Sequence, residues 1–344
     1  MGGELLSVDN LSLEFHTHDG VVRVLEDVTF NLGPSRWTGL VGETGCGKSV
    51  TASAIIRLLP PSARVSGEVL FKGKNLLDET ERAMRGIRGG QISMVFQDPS
   101  IAINPALKIG FQIAETIAAH QNTNRRESYQ RARDVLQRVG LSPYVMDQYA
   151  HELSGGMLQR VMIGLALSCN PDLMLADEPT SALDVTIQKD ILHLLKELSN
   201  LSRTAMLFIT HDLVLVGQTC DEVVVMYAGT VVERGSTEAV LRRSFHPYTK
   251  ALVNAIPTID RRKDYLEEIE GNLPDLLLRP PGCPFASRCK ERIADLCTSV
   301  VPGETRLEPG HYTRCHLATH HGGSSVSGRA IQEHHPLNGS PDAA

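Results

Sequence analysis

The sequence has no long hydrophobic run. Its longest uninterrupted apolar stretches, such as Val161 to Leu167 and Ala205 to Ile209, fall far short of the roughly 18 to 20 residues that cross a bilayer. No membrane span is expected. Excess positive charge is missing too: 34 Lys and Arg stand against 40 Asp and Glu, for a formal charge of −6, so no global field exists to hold nucleic acid by counterion release. Aromatic residues are scarce at 5%, while 42% of residues are apolar and 22% charged, an ordinary globular balance without a collagen-like period or a chain-wide disorder bias. Met1-Gly2-Gly3-Glu4-Leu5-Leu6 lacks a basic segment and a cleavage site, and Leu6 stands where a myristoylation signal needs Ser or Thr. The expectation is a cytoplasmic protein that meets a membrane only through a partner.

With 344 residues and a prior of roughly 150 per domain, two structural units are expected. Short β-type runs (Leu11 to Phe15, Val21 to Leu25, Val28 to Leu32, Gly39 to Val41) lead into a glycine-rich turn. A strand feeding such a turn and then a helix opens a parallel α/β domain. Further strand-like runs are Ile92 to Phe96, Leu173 to Ala176, Ala205 to Ile209 and Val223 to Tyr227. Between Asp98 and Glu152 the pattern turns helical and polar, which predicts a helical subdomain over about 98–152 inserted into an α/β domain of residues 1–245. Arg82, Arg85 and Arg88 share one face of a predicted helix and read as solvated. From His246 prolines accumulate (Pro247, Pro257, Pro274, Pro280, Pro281), predicting an extended linker into a small second unit, 246–317. The tail, 318–344, reads as disordered, with His320, His321, His334 and His335 solvated rather than ligating.

Chemistry enters at Gly42-Glu43-Thr44-Gly45-Cys46-Gly47-Lys48-Ser49, which fits G-x-x-x-x-G-K-[ST] between the strand Gly39 to Val41 and the helical run Val50 to Leu58. Glycines let backbone N–H groups converge on phosphate oxygens, and the following helix adds its positive end. Lys48 is placed to reach the β- and γ-phosphates of ATP, and the Ser49 hydroxyl to ligate Mg²⁺. Cys46 reads as loop filler whose thiol is open to alkylation. Downstream, Leu173-Met174-Leu175-Ala176-Asp177-Glu178 is an apolar strand ending in two acids. Alternation points them different ways, so Asp177 is assigned to Mg²⁺ and Glu178 to the attacking water.

Leu153-Ser154-Gly155-Gly156-Met157-Leu158-Gln159-Arg160 resembles the signature of ATP-binding cassette (ABC) ATPases, and the order of the other pieces is similar over about residues 4 to 317. Gln97 then looks like the Q-loop, Ser181-Ala182-Leu183-Asp184 like the D-loop and His211 like the switch histidine. The resemblance implies an α/β fold of the ABC type: a phosphate-loop nucleotide-binding domain with an inserted helical subdomain, an antiparallel β subdomain and a small Cys-rich C-terminal extension. It also implies that ATP is sandwiched between Lys48 of one cassette and the signature of another (Ser154, Gly155, Gly156, Gln159), with Gln97 sensing Mg²⁺ and the γ-phosphate, His211 holding Glu178 in register and Val50 flanking the loop. Independently of the name, Ser154 before a helical run can cap it and leave N–H groups free for an anion. Phe15 is the candidate for stacking the adenine and equally a candidate core residue.

Cys283, Cys289, Cys297 and Cys315 fall in one short window with spacings C-x₅-C-x₇-C-x₁₇-C. Four thiolates close a tetrahedral zinc site or hold an iron–sulfur cluster, and spacing leaves that choice open. The block Leu278 to Cys283 through His311 to His316, with Val231 to Gly235 and His246-Pro247-Tyr248-Thr249, resembles the peptide-type ABC importer ATPases. That resemblance implies a [4Fe-4S] cluster on the four cysteines and an ATPase at the cytoplasmic face of the membrane. The implied partners are two transmembrane permease subunits, a second non-identical ATPase subunit and, indirectly, a solute-binding protein. It implies no nucleic acid. Relatives of this type serve dipeptides, oligopeptides, nickel chelates and some oligosaccharides, so the solute stays open, and a soluble ABC ATPase outside transport is the rival reading.

Overall fold

Alternation builds the first layer. In β1 (Leu6–Thr17) Leu11 and Leu13 point inward and Ser12 and Glu14 outward, and in β2 (Gly20–Leu32) Val28, Phe30 and Leu32 do the same. The two runs expected separately at Val21 and Val28 form one strand, interrupted by Asp27, whose φ is 48° and whose N–H donates to Ser12 Oγ (3.0 Å). The computed structural model describes residues 3–18, 20–181, 183–256, 269–320 and 324–325.

The chain continues through β3 (Trp37–Val41), α1 (Lys48–Ile55), β4 (Ala63–Phe71), β5 (Lys74–Asn75), α2 (Glu81–Ile87) and β6 (Ile92–Val95). The helical stretch follows, with α3 (Pro99–Ala102), α4 (Ile109–His120), α5 (Arg125–Arg138) and α6 (Gly155–Leu167). The core then resumes with β7 (Leu173–Asp177), α7 (Val185–Ser202), β8 (Ala205–Thr210), α8 (Leu213–Thr219), β9 (Glu222–Tyr227), β10 (Thr230–Ser236) and α9 (Thr237–Arg242). Last come α10 (Pro247–Asn254), α11 (Ala294–Ser299), β11 (Thr305–Glu308), β12 (His311–Thr313), α12 (His316–His320) and β13 (Ser324–Ser325).

Among the described residues the strands form two sheets. The first is antiparallel, in the order β2-β1-β4-β5, so the opening strands do not feed the parallel sheet. The second runs β13-β11-β12-β10-β9-β3-β8-β7-β6 and is parallel from β9 to β6. Strands β3, β7 and β8 are buried throughout, as expected of parallel strands covered on both faces. Because these strands run the same way, the segments following β3, β6, β7 and β8 all emerge at one edge, where ligands of open α/β sheets bind. One apolar core, including Leu6, Phe30, Leu40, Ile55 and Leu207, joins the two sheets. The other packs the parallel sheet against the helices.

The C-terminal part departs from expectation. Residues after His246 form α10 rather than an extended linker, because Pro247 takes the first helical turn, where its missing N–H costs nothing. Pro257 lies outside the described residues. Cys283, Phe285, Ala286 and Cys297 join the main core, as suits a stretch too small and proline-rich to bury a core of its own. Ordered structure also continues past 318: Ala318 is buried in α12, and β13 pairs with β11. His321, His334 and His335 lie outside the described residues. Arg88 leaves the face of α2 and donates to Glu81 Oε1 (2.7 Å) and the Ile56 carbonyl (2.7 Å). No helix among the described residues is long and apolar enough to cross a membrane.

Candidate nucleotide site

Strand β3 ends at Val41, and the chain turns sharply through residues 42–47 into α1. Only glycine suits the two ends of that turn. Gly42 has φ 153° and a Cβ there would meet the Met226 carbonyl at 2.2 Å; Gly47, at φ 105°, occupies the N-cap of α1. The first N–H groups of α1 have no intrahelical partners and carry the positive end of the helix dipole. Lys48 Nζ, 5% exposed, folds back onto the loop and donates to the carbonyls of Gly42 (2.8 Å) and Glu43 (3.0 Å). Thr44, Gly45 and Cys46 complete the turn, with the Cys46 N–H donating to the Glu43 carbonyl (3.2 Å). Cys46 is 1% exposed, as a loop-filling residue should be, and burial pushes its thiol above the usual range, which argues against its alkylation.

Ser49 Oγ donates to Asp177 Oδ1 at 3.0 Å, so the first turn of α1 and the end of β7 meet. Burial raises the Asp177 carboxyl, the Ser49 hydrogen bond opposing it, and neighbouring Glu178 raises it further. Glu178 is not the next residue of an alternating strand. It has left β7 with φ 43°, a conformation that costs a non-glycine residue on the order of 1 kcal/mol. That kink, rather than strand alternation, turns its carboxylate away from Asp177 and toward two neighbours. Gln97 Nε2 donates to Oε2 (3.2 Å), and His211 Nδ1 lies 3.1 Å from Oε1. Three separate segments thus converge on two adjacent acids.

Ser154 caps α6, its Oγ accepting from the Met157 N–H at 3.3 Å, and Ser154 and Gly155 are exposed beside Gly156. Among the described residues no hydrogen bond joins this turn to the phosphate loop. Gln159 behaves differently from its expected role. It is 3% exposed and its amide donates to the Pro179 carbonyl, so it braces α6 against the turn after Glu178 and cannot present itself to another chain. Asp184 caps α7 through the N–H groups of Thr186 (3.1 Å) and Ile187 (3.0 Å); Ala182 lies outside the described residues. Phe15 is half-buried on β1 and packs, like Val50, against the core that joins the sheets.

Residues 25–181 match the family described as "ABC transporter" and residues 232–297 the family described as "Oligopeptide/dipeptide transporter, C-terminal region". The chain is 44% identical over 318 residues to the dipeptide transport ATP-binding protein DppD of Bacillus subtilis, covering 91% of this chain and 95% of that protein. It is 42% identical to the oligopeptide transport ATP-binding protein OppD of Escherichia coli, over 90% and 92% of the two chains. The chain belongs to the ABC transporter family. Its fold is also similar to the ADP- and phosphate-bound dimeric ATP-binding cassette MJ0796, with a TM-score of 0.61 and 25% identity over 67% of this chain and 98% of that one.

In this ABC transporter chain the C-terminal part supplies contacts that motif reasoning missed. The Tyr248 hydroxyl accepts from the Glu43 N–H (2.9 Å), and Arg288 Nη1 bonds Glu43 Oε2 (2.9 Å). Both residues stood inside blocks already singled out, one in His246-Pro247-Tyr248-Thr249 and the other between Cys283 and Cys289, but partners 205 and 245 positions away leave no local signal.

The four cysteines of this part are free thiols that act electrostatically on one another, Cys315 sensing the other three. Burial pushes Cys283 to about 11 and Cys315 to about 12. Backbone N–H groups face each sulfur: Phe285 and Ala286 toward Cys283, Glu291 toward Cys289, Leu317 toward Cys315, and Ile293 toward Cys297 Sγ at 3.3 Å. Among the described residues no group of three or more His, Cys, Asp or Glu is gathered closely enough to hold a metal ion. The donor chemistry, soft sulfur served by N–H donors, nonetheless suits a thiolate-ligated metal.

Proposed function

We propose that this chain is the ATP-hydrolysing subunit of an importer that carries dipeptides or oligopeptides across the cytoplasmic membrane, seated at its cytoplasmic face. The observation that carries the reading is the meeting of Ser49 with Asp177 and of Gln97 and His211 with Glu178 at the mouth of a phosphate loop. The names of the relatives and the match of residues 232–297 support peptides as the solute.

Phosphoryl transfer asks the protein mainly for position and charge neutralisation. Residues 42–49 and the N-terminus of α1 receive the phosphates, and Lys48 exchanges its two carbonyl partners for phosphate oxygens. Ser49 and Asp177, with Gln97, offer the hard oxygen donors that Mg²⁺ takes, and the ion would neutralise phosphate charge. Glu178 orients and polarises the attacking water, held by Gln97 and His211. Ser154, Gly155 and Gly156 present their exposed turn to the nucleotide of a second, non-identical cassette. Ile101 and Tyr144, 74% and 73% exposed on the helical insert beyond Gln97, offer the apolar side chains with which this reading docks the insert on the permease pair.

Replacing Glu178 by Gln tests the assignment. The variant is expected to bind ATP as before and to lose turnover by a factor on the order of 10² or more; near-normal hydrolysis would overturn it.

Cys283, Cys289, Cys297 and Cys315 are proposed to hold a [4Fe-4S] cluster that ties the C-terminal segment together, because four soft sulfur donors stand in one small part of the chain; burial keeps Cys283 and Cys315 as neutral thiols without a metal, so cluster binding must displace their protons. A colourless protein with stoichiometric zinc after anaerobic purification would assign zinc instead.

A further inference from the structure

We propose that Arg288 and Tyr248 are positioning residues for the phosphate loop, and that Arg288 sets ATP affinity by cancelling the charge of the loop's own carboxylate, Glu43. The inference rests on the reading of residues 42–49 as the ATP site.

A loop that receives a polyanion carries an acid here, and that acid needs compensation. Glu43 Oε2 bonds Arg288 Nη1 at 2.9 Å, while Oε1 is buried without a partner among the described residues, so the carboxylate depends on one cation. The cation is fixed. Arg288, its side chain 5% exposed, also donates to the Tyr227 hydroxyl (3.3 Å) and to the carbonyls of Ile269 (2.8 Å) and Glu270 (2.9 Å). Its planar fork is therefore spent on one geometry, and a partly buried pair of this kind is screened far less by salt than an exposed one. The second tie acts on the same residue from its backbone. The Glu43 N–H donates to the hydroxyl of fully buried Tyr248 at 2.9 Å, fixing the entry to the turn and leaving the first N–H groups of α1 to the phosphates. Side chain and main chain of Glu43 are both gripped from the C-terminal segment, so the loop is shaped before nucleotide arrives.

The charges give the effects opposite signs. Arg288→Gln leaves an unbalanced anion within the phosphate loop and weakens ATP binding, roughly tenfold. Glu43→Gln leaves an unbalanced cation there and tightens it. The double variant restores near-neutral balance and binds within about threefold of the unmodified chain. A merely structural role for Arg288 gives no such restoration, because a Gln at 43 cannot rebuild lost packing.

The experiment is equilibrium titration of the full-length chain with a fluorescent ATP analogue and Mg²⁺, for the unmodified protein, Arg288→Gln, Glu43→Gln and the double variant, with turnover measured at saturating ATP. Weaker binding by Arg288→Gln with saturated turnover retained, tighter binding by Glu43→Gln and recovery in the double variant support the proposal. Unchanged binding by Arg288→Gln, weaker binding by Glu43→Gln, or a double variant as weak as Arg288→Gln overturns it while leaving the ATP site intact. Failure of the unmodified chain to bind the analogue overturns both readings. If Arg288→Gln does not fold, the sign of the Glu43→Gln effect decides alone.

Discussion

His246 is buried with both of its local hydrogen bonds dictated by neighbours: its N–H donates to Glu233 Oε2 (2.9 Å) and its Nδ1 accepts from the Tyr248 N–H (3.1 Å). Burial pushes its pKa down from 6.5 to about 4, although the Glu233 carboxylate favours the proton. The unfolded chain therefore takes up a proton that the folded chain refuses between pH 6.5 and about 4. Stability is expected to fall as pH drops through that window, by about 3 kcal/mol, and to lose no more to this group below it. His246→Asn retains an acceptor for the Tyr248 N–H without the titration, so urea midpoints measured against pH should show a shallower acid loss. An identical slope in both proteins would contradict the assignment. At this scale the phosphate loop was legible because glycine and lysine spacing is itself the chemistry. The inward turn of Gln159 was not, since it depends on what the rest of the chain packs over it.

Elements explain why the motifs meet. Parallel strands β3, β6, β7 and β8 release residues 42, 97, 178 and 211 at one edge, and their continuous apolar runs made them readable. What local pattern could not supply was pairing. Strands β1 and β2 look like any short β-type runs, and only their register, Leu6 opposite Leu32 and Leu13 opposite Leu25, separates them into an antiparallel sheet. Strand β10 closes on β12 from 80 residues away, Glu233 opposite Thr313, and buried Glu233 meets His311 Nε2 at 2.8 Å. The helical insert carries its own prediction. Ile101 and Tyr144 contribute little to the core and leave large apolar side chains in solvent. Ile101→Asp and Tyr144→Asp should fold normally yet recover less than about a tenth of the permease subunits on co-purification from detergent, since a charge in a desolvated apolar contact is costly. Undiminished recovery would place the docking face elsewhere.

As a whole the molecule is a mildly acidic cassette, with no membrane-crossing helix among its described residues, that belongs to a family of transporters. The exposed turn at Ser154 is the surface proposed to meet a second cassette's nucleotide, and the C-terminal segment that grips Glu43 packs into the core of the parallel sheet. The most direct measurement is uptake of a labelled dipeptide or tripeptide into vesicles reconstituted with this chain, the permease pair and the proposed second ATPase and solute-binding protein. Accumulation should require ATP enclosed on the side of the ATPases and should fall on the order of 10²-fold with Glu178→Gln. Peptide uptake that proceeds equally without ATP, or is untouched by that substitution, would contradict the account.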